Sequence, residues 1–103
     1  MNLRRGDIFW ANLGNKCRPW LVVQNDIINR SSNYIIVAPL TTNLKKTYPT
    51  HPVICWGSIN SSCVKCEEIK QIEEDPSWCA SEHLPPQIME HVNNALKFAL
   101  GVI

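Results

Sequence analysis

The hydrophobic period changes once along this chain, and that change constrains the fold more than any other feature. Between Asp7 and Ile72 the apolar residues come in short runs: Asp7–Leu13, Trp20–Val23, Tyr34–Leu40, Pro52–Trp56 and Cys63–Ile72. They are rich in β-branched and aromatic side chains, as strands are. Trp20–Val23 is wholly apolar and reads as a strand buried on both faces. Gln24-Asn25-Asp26 turns the chain, and the polar run Asn29-Arg30-Ser31-Ser32-Asn33 leads into the next strand. From Gln87 onward the apolar residues fall at Ile88, Met89, Val92, Ala95, Leu96, Ala99 and Leu100, a helical stripe. Pro85-Pro86 stands at its start and Gly101 at its end, where each residue type suits a helix terminus. Short strands followed by one helix predict a mainly β domain over residues 1–103, a compact barrel or sandwich with the helix packed on it.

An apolar fraction of 45% and four Trp argue against disorder. The apolar runs are far too short to span a bilayer, and Arg4-Arg5 is followed by Gly6-Asp7 rather than by the apolar stretch of a signal peptide. Five cysteines, an odd count, fit free thiols in a reducing compartment, so a cytoplasmic location is expected. The net charge of +1 conceals an asymmetry. Residues 1–51 hold seven Lys or Arg against Asp7 and Asp26, whereas residues 52–103 hold three Lys against seven acids. The first half is therefore suited to meeting a polyanion.

Arg18-Pro19 heads one strand, and Thr41-Thr42 ends the next long one. Scission of RNA by its own 2′-hydroxyl requires that hydroxyl to lose a proton, the phosphorane charge to be stabilised and the leaving 5′-oxygen to gain a proton. An Arg fork neutralises a phosphate bidentately, and a Thr hydroxyl donates to a non-bridging oxygen. The nucleophile lies within the substrate, so this chemistry needs neither metal nor cofactor. On their own these residues are equally those of a solvated strand start and an ordinary strand end.

Several blocks resemble the MazF/PemK family of toxins. Arg5-Gly6-Asp7-Ile8-Phe9-Trp10-Ala11-Asn12-Leu13 is similar to the family's opening strand, and Arg18-Pro19-Trp20-Leu21-Val22-Val23-Gln24-Asn25-Asp26 to its second motif. Asn29-Arg30-Ser31 with Ile35–Thr41, then Pro49–Val53, Cys66–Ile72 and the helix Met89–Leu100 continue the likeness, in order, over nearly the whole chain. The resemblance implies a small SH3-like barrel with a terminal helix, assembled as a symmetric dimer. It implies a toxin endoribonuclease that cleaves single-stranded messenger RNA to a 2′,3′-cyclic phosphate and a 5′-hydroxyl. It implies catalytic roles for Arg18 and Thr41, and acid–base work or RNA contact for Lys65 and Glu67. Lys16, Asn25, Thr42, Lys45 and Lys70 are the further candidates for RNA binding. The expected regulator is an antitoxin whose disordered, acidic tail lies in the RNA groove.

The chain departs from the family pattern at the link between its first two strands. Only Gly14-Asn15-Lys16-Cys17 stands where the family carries a longer, Gly-rich loop, and Lys70 stands where many members have Arg. Two rival readings remain. One is a toxin of the same barrel that binds another macromolecule, as gyrase poisons do. The other is a zinc module, since Cys63-x2-Cys66-x12-Cys79-x3-His83 has finger-like spacing. Against zinc, Cys63–Ile72 reads as strand, which would point residues 63 and 66 to opposite faces. Cys17 beside Arg18 has the setting of a reactive thiol, but nothing places a His near it. His51, between Thr50 and Pro52, reads as structural. Trp10 and Trp20 lie within strands and are expected in the core, while Trp56 and Trp78 flank loops.

Overall fold

The computed structural model describes residues 2–44 and 48–102. The elements in order are β1 (Asp7–Asn12), β2 (Cys17–Val22), α1 (Asp26–Asn29), β3 (Tyr34–Thr41), β4 (Val53–Trp56), β5 (Ile59–Val64), β6 (Lys70–Glu73), β7 (Glu82–His83) and α2 (Pro86–Leu100), with a 3-10 turn at Cys66–Glu68 between β5 and β6. The fold is mainly β with a C-terminal helix, as the change of period predicts.

Hydrogen bonding runs β4-β5-β3-β2-β1-β7, and β6 also pairs with β3. The arrangement follows the expected barrel, but its ladder does not close: β4 and β7, at the two ends, are not paired. A carboxylate bridges the gap instead. Glu82 in β7 accepts from the backbone N–H of Ser58 at 3.0 Å and from its hydroxyl at 2.7 Å, in the turn between β4 and β5. These two bonds hold the Glu82 carboxyl below the usual range.

The two faces of the sheet carry separate cores. Ile8, Leu21, Ala38, Leu40 and Val64 pack with Leu84 and with Met89, Val92 and Ala95 of α2. Leu3, Phe9, Ala11, Trp20, Val22, Ile35 and Val37 form the other, against which half-buried Trp78 packs. Ile8 joins one core and Phe9 the other because successive strand residues point to opposite faces. Helix α2 begins with proline in its first turn and ends at Gly101, whose φ of 71° lets Val102 N–H reach back to the Lys97 carbonyl at 2.8 Å.

Two local expectations change, and one strand is added. Asn25 and Asp26 open a short helix rather than a plain turn, because the Asn25 side chain accepts from Ile27 N–H at 2.8 Å and caps α1. Cys63–Ile72 is not one strand. β5 pairs with β3 at Leu40↔Val64 and β6 pairs with it at Val37↔Lys70, and between them the chain makes its 3-10 turn. The reason is Pro39. Its carbonyl accepts from Lys65 N–H at 2.9 Å, so its nitrogen faces the same side and has no hydrogen to donate there. The short β7, paired with Asp7 and Ile8, is too brief to carry a period.

Two outcomes are expected. Gly57 sits at φ 55°, and a Cβ there would collide with the Glu82 carboxylate. Gly101 has φ 71° and open space around it. Gly101→Ala should therefore cost only the left-handed strain of roughly 1–2 kcal/mol, and Gly57→Ala more, because Glu82 must also leave Ser58; urea unfolding compares them. Asp26 accepts Arg5 N–H at 2.8 Å and the Asn29 amide at 3.0 Å. The Arg5 bond, outweighing the opposing effect of burial, lowers its carboxyl pKa. Such a group stabilises the fold above its unfolded pKa of about 3.9, and that stability disappears as pH falls through the lower folded value. Urea midpoints of Asp26→Asn measured from neutral pH down through that range should fall less steeply than those of the parent chain.

Candidate active site

A cleft of about 270 Å³ opens where β2 and β3 part. Lys16, Cys17, Arg18 and Pro19 form one side, Leu40, Thr41 and Thr42 another, Trp10 of β1 a third, and Ser58, Ile59, Asn60 and Ser62 of the β4–β5 hairpin the last.

The strands part for a covalent reason. The β2–β3 ladder holds Val22↔Val37, Leu21↔Ala38 and Trp20↔Pro39. Val23 N–H donates to the Ile36 carbonyl at 3.0 Å, so the amides of residues 23 and 21 face β3. Position 19 is next in that series, and proline has no N–H to offer. Beyond it β2 pairs only with β1, through Ala11↔Arg18 and Asn12↔Cys17, while Leu40 and Thr41 turn to β5. Extending the β2–β3 register by two residues sets Arg18 level with Thr41 across the opening.

Arg18 is partly buried, and among the described residues nothing hydrogen-bonds or ion-pairs with its guanidinium. Thr41 Oγ1 accepts from Asn43 N–H at 3.2 Å, which orients the hydroxyl and leaves its own hydrogen available. Lys16 is exposed on the same cleft, and no acidic side chain lines it among the described residues. A concave site with two cations and an oriented hydroxyl attracts an anion and donates hydrogen bonds to it.

Of the residues singled out from sequence, Arg18, Thr41, Thr42 and Lys16 meet at this cleft. Lys70 lies on a neighbouring surface, its Nζ 3.3 Å from the Leu13 carbonyl and 4.9 Å from the Trp20 ring centre. Lys65 pairs with Glu68 at 3.2 Å, Glu67 bonds to His51, Asn25 caps α1, and none of these lines the cleft. Lys45 lies outside the described residues.

His51 is buried, and its Nε2 donates to the Glu67 carboxylate at 2.6 Å, away from the cleft, in keeping with a structural role. Burial tends to raise the Glu67 pKa, but a backbone bond and the His51 contact outweigh it and the net shift is downward. The finger-like set does not converge. Cys63 ends up in β5 and Cys66 in the 3-10 turn, both buried, while Cys79 is exposed. Burial pushes the Cys66 thiol up to about 12, which keeps it protonated. Among the described residues no three His, Cys, Asp or Glu side chains stand close enough to share a metal ion.

Trp20 is in the core as expected, but Trp10 is 52% exposed on the cleft wall, against expectation. Residue alternation puts Trp10 on the same side as Ile8, but the core that encloses Ile8 does not extend to it. Ser58, Asn60 and Ser62 are cleft residues that the sequence reading missed. Part of the signal was available in the polar residues Asn60 and Ser61 of β5, which are exposed, whereas Ser62 is buried with its hydroxyl on the Asn60 carbonyl at 2.7 Å.

The chain matches, over residues 4–100, the family described as PemK-like, MazF-like toxin of type II toxin–antitoxin system. It is 34% identical to Endoribonuclease EndoA of Bacillus subtilis, in an alignment of 114 residues covering 100% of this chain and 98% of that protein. It is 29% identical to Endoribonuclease MazF1 of Mycobacterium bovis, covering 95% and 92% of the two chains. A mycobacterial endoribonuclease solved in complex with its cognate antitoxin superposes with a TM-score of 0.85 at 28% identity, over 96% of this chain and 95% of that one. The MazE–MazF structure from Deinococcus radiodurans shares the fold at a TM-score of 0.82 and 19% identity, over 100% and 99% of the chains. Sequence and fold agree along the whole chain, which belongs to the PemK-like, MazF-like toxin family of type II toxin–antitoxin systems.

Proposed function

We infer that this chain is an endoribonuclease toxin that cleaves single-stranded RNA, with the substrate's own 2′-hydroxyl as nucleophile and without a metal ion. The observation that carries the reading is a guanidinium, Arg18, and an oriented hydroxyl, Thr41, on one cleft where, among the described residues, Arg18 has no partner and no acidic side chain lines the walls. The names of the relatives, endoribonucleases in each case, support the reaction class.

In this mechanism the 2′-hydroxyl loses its proton and its oxygen attacks the adjacent phosphorus. Negative charge grows on the non-bridging oxygens, where the Arg18 fork and the Thr41 hydroxyl meet it. The bond to the 5′-oxygen breaks, that oxygen takes up a proton, and the products are a 2′,3′-cyclic phosphate and a 5′-hydroxyl. Lys16 and Thr42 line the same cleft, and in this reading they would meet the neighbouring backbone.

The natural partner is an antitoxin. A mycobacterial relative has been solved with its own, and an acidic, disordered tail is the chemistry that would compete with RNA for Arg18 and Lys16. The working form is a homodimer in the cytoplasm. Exposed Phe98, Leu100 and Val102 at the end of α2 supply an apolar contact of the kind a two-fold pair uses. No helix among the described residues is long and apolar enough to cross a membrane.

Three tests bear on this reading. RNA cleavage should persist in EDTA, and a 2′-deoxy nucleotide at the cut site should abolish it. Arg18→Ala and Thr41→Ala should each lower the single-turnover rate on the order of a hundred- to a thousand-fold with little change in melting temperature. Arg18→Lys should also be poor, because a point charge makes no bidentate contact. Normal rates in either Ala variant, or normal cutting of the deoxy substrate, would refute the assignment. Light scattering should give about twice the chain mass, and Leu100→Asp should lower it; a parent chain that is monomeric while active would remove the dimer.

A further inference from the structure

The cleavage chemistry does not use Trp10, yet Trp10 forms one wall of the cleft. Along β1, Phe9 and Ala11 are buried on one face and Ile8 on the other. Trp10 follows Ile8 on its side but is 52% exposed. Its register partner is Pro19, the residue that opens the cleft. The remaining tryptophans are placed differently. Trp20 is 5% exposed and its indole N–H donates to the Ala11 carbonyl at 3.3 Å. Trp78 stacks on Phe9 with ring centres 4.9 Å apart. Trp56 is exposed, but not on the cleft. Among the described residues no aromatic ring and no cation packs on Trp10. Burying a large apolar side chain stabilises a fold, so an indole left half in water gives up part of what the core would have gained from it.

Asn60 of β5 lines the same cleft. It is exposed, and its side-chain amide has no partner among the described residues. An amide offers a donor and an acceptor side by side, as the edge of a nucleobase does. The cleft, at about 270 Å³, is just below the usual range for small-ligand sites of roughly 300–1,000 Å³ and is scaled to one nucleotide. It combines an aromatic face with the cations Lys16 and Arg18. A nucleotide carries the matching pair, a flat base and a phosphate.

We propose that Trp10 is the stacking platform for one base beside the scissile phosphate, and that Asn60 faces the edge of that base and sets a nucleotide preference within the cleft. This rests on the RNA-cleavage reading and adds a specificity site to it. It is a site built from strand residues of β1 and β5, independent of the shortened β1–β2 link.

The test is a single-turnover cleavage assay on one short RNA, with an abasic nucleotide placed in turn at each position near the cut. Stacking of a base on an aromatic side chain is worth about 1–3 kcal/mol. Trp10→Ala should therefore raise the RNA concentration for half-maximal rate about tenfold or more, with a smaller effect on the rate at saturation. Trp10→Phe should recover most of the loss. At one position the abasic penalty seen with the parent protein should vanish in Trp10→Ala, since each change removes the same contact. Asn60→Ala should level the rates among the four bases at that position while keeping the abasic penalty. Penalties that stay additive at every position, or parent-like behaviour of Trp10→Ala, would overturn the proposal. So would a change in molecular mass by light scattering, which would place the ring in a contact between chains. If Trp10→Ala fails to fold, Trp10→Phe with the abasic series and Asn60→Ala decides, and unchanged penalties and base preference there would likewise overturn it. Arg18→Ala runs alongside as a control. If it cleaves normally, the RNA-cleavage reading has failed, whereas an inactive Arg18→Ala beside an unaffected Trp10→Ala defeats the stacking assignment alone.

Discussion

The cleft depends on two missing amide hydrogens. Pro19 in β2 and Pro39 in β3 stand near each other in the sheet, Pro39 opposite Trp20 and Pro19 next to it. Pro19 cannot donate toward β3, so the β2–β3 ladder stops after Trp20 and the two strands separate. Pro39 cannot donate toward the other neighbour, and there the chain folds into the 3-10 turn at Cys66–Glu68 instead of continuing as strand. Relieved of both ladders at this point, the end of β3 turns to β5 and brings Thr41 with it. A sheet paired without interruption would have filled the cleft that Arg18 and Thr41 now line.

A second division runs through the polar side chains. Many of the acidic residues in the second half of the chain are taken up by the fold. Glu74 is buried and accepts from Leu3 N–H at 3.1 Å, Glu82 holds the β4–β5 turn, and Glu67 holds His51. In the first half, Asp7 meets His83 at 2.7 Å and Asp26 ties the N-terminal arm to α1. With the carboxylates held elsewhere, the cations of the cleft keep their charge for a ligand. Lys70 and Asn25, by contrast, are engaged with the protein's own carbonyls and amides. What sets Arg18 apart from these residues is its surroundings rather than its type: its place in β2 and the splay of the sheet leave it on the cleft with no acceptor among the described residues.

Much of this was legible in the order of residues. The change of hydrophobic period marked the strands and the helix, Pro85-Pro86 and Gly101 marked the ends of α2, and the ordered blocks pointed to the family. The Arg18-Pro19 and Thr41-Thr42 pairs stood out as candidates, and the fold brings them to one cleft. Cys63–Ile72 was misread as continuous because the cause of its break, Pro39, is about thirty residues away in the chain and acts across the sheet. Trp10 was misread for a similar reason. A tryptophan inside a strand looks like core, and only the extent of the helix-covered cluster shows that the core stops at Ile8.

The sequence by itself determined the main strands and the C-terminal helix, the family and the residue types able to handle a phosphate. Those are properties of neighbours along the chain: side-chain period, the fixed φ of proline, the charge of a guanidinium. Tertiary structure decided which of the polar side chains are free to act. Lys65 and Glu67 carry the same kinds of charge as residues that bind RNA, but the fold gives them Glu68 and His51 as partners. Arg18, Thr41, Trp10 and Asn60 come from four different strands and line one opening because strands distant in sequence lie side by side. A partner satisfies or frees a side chain only through short-range contact, and which residues come into contact is set by the pairing of the strands.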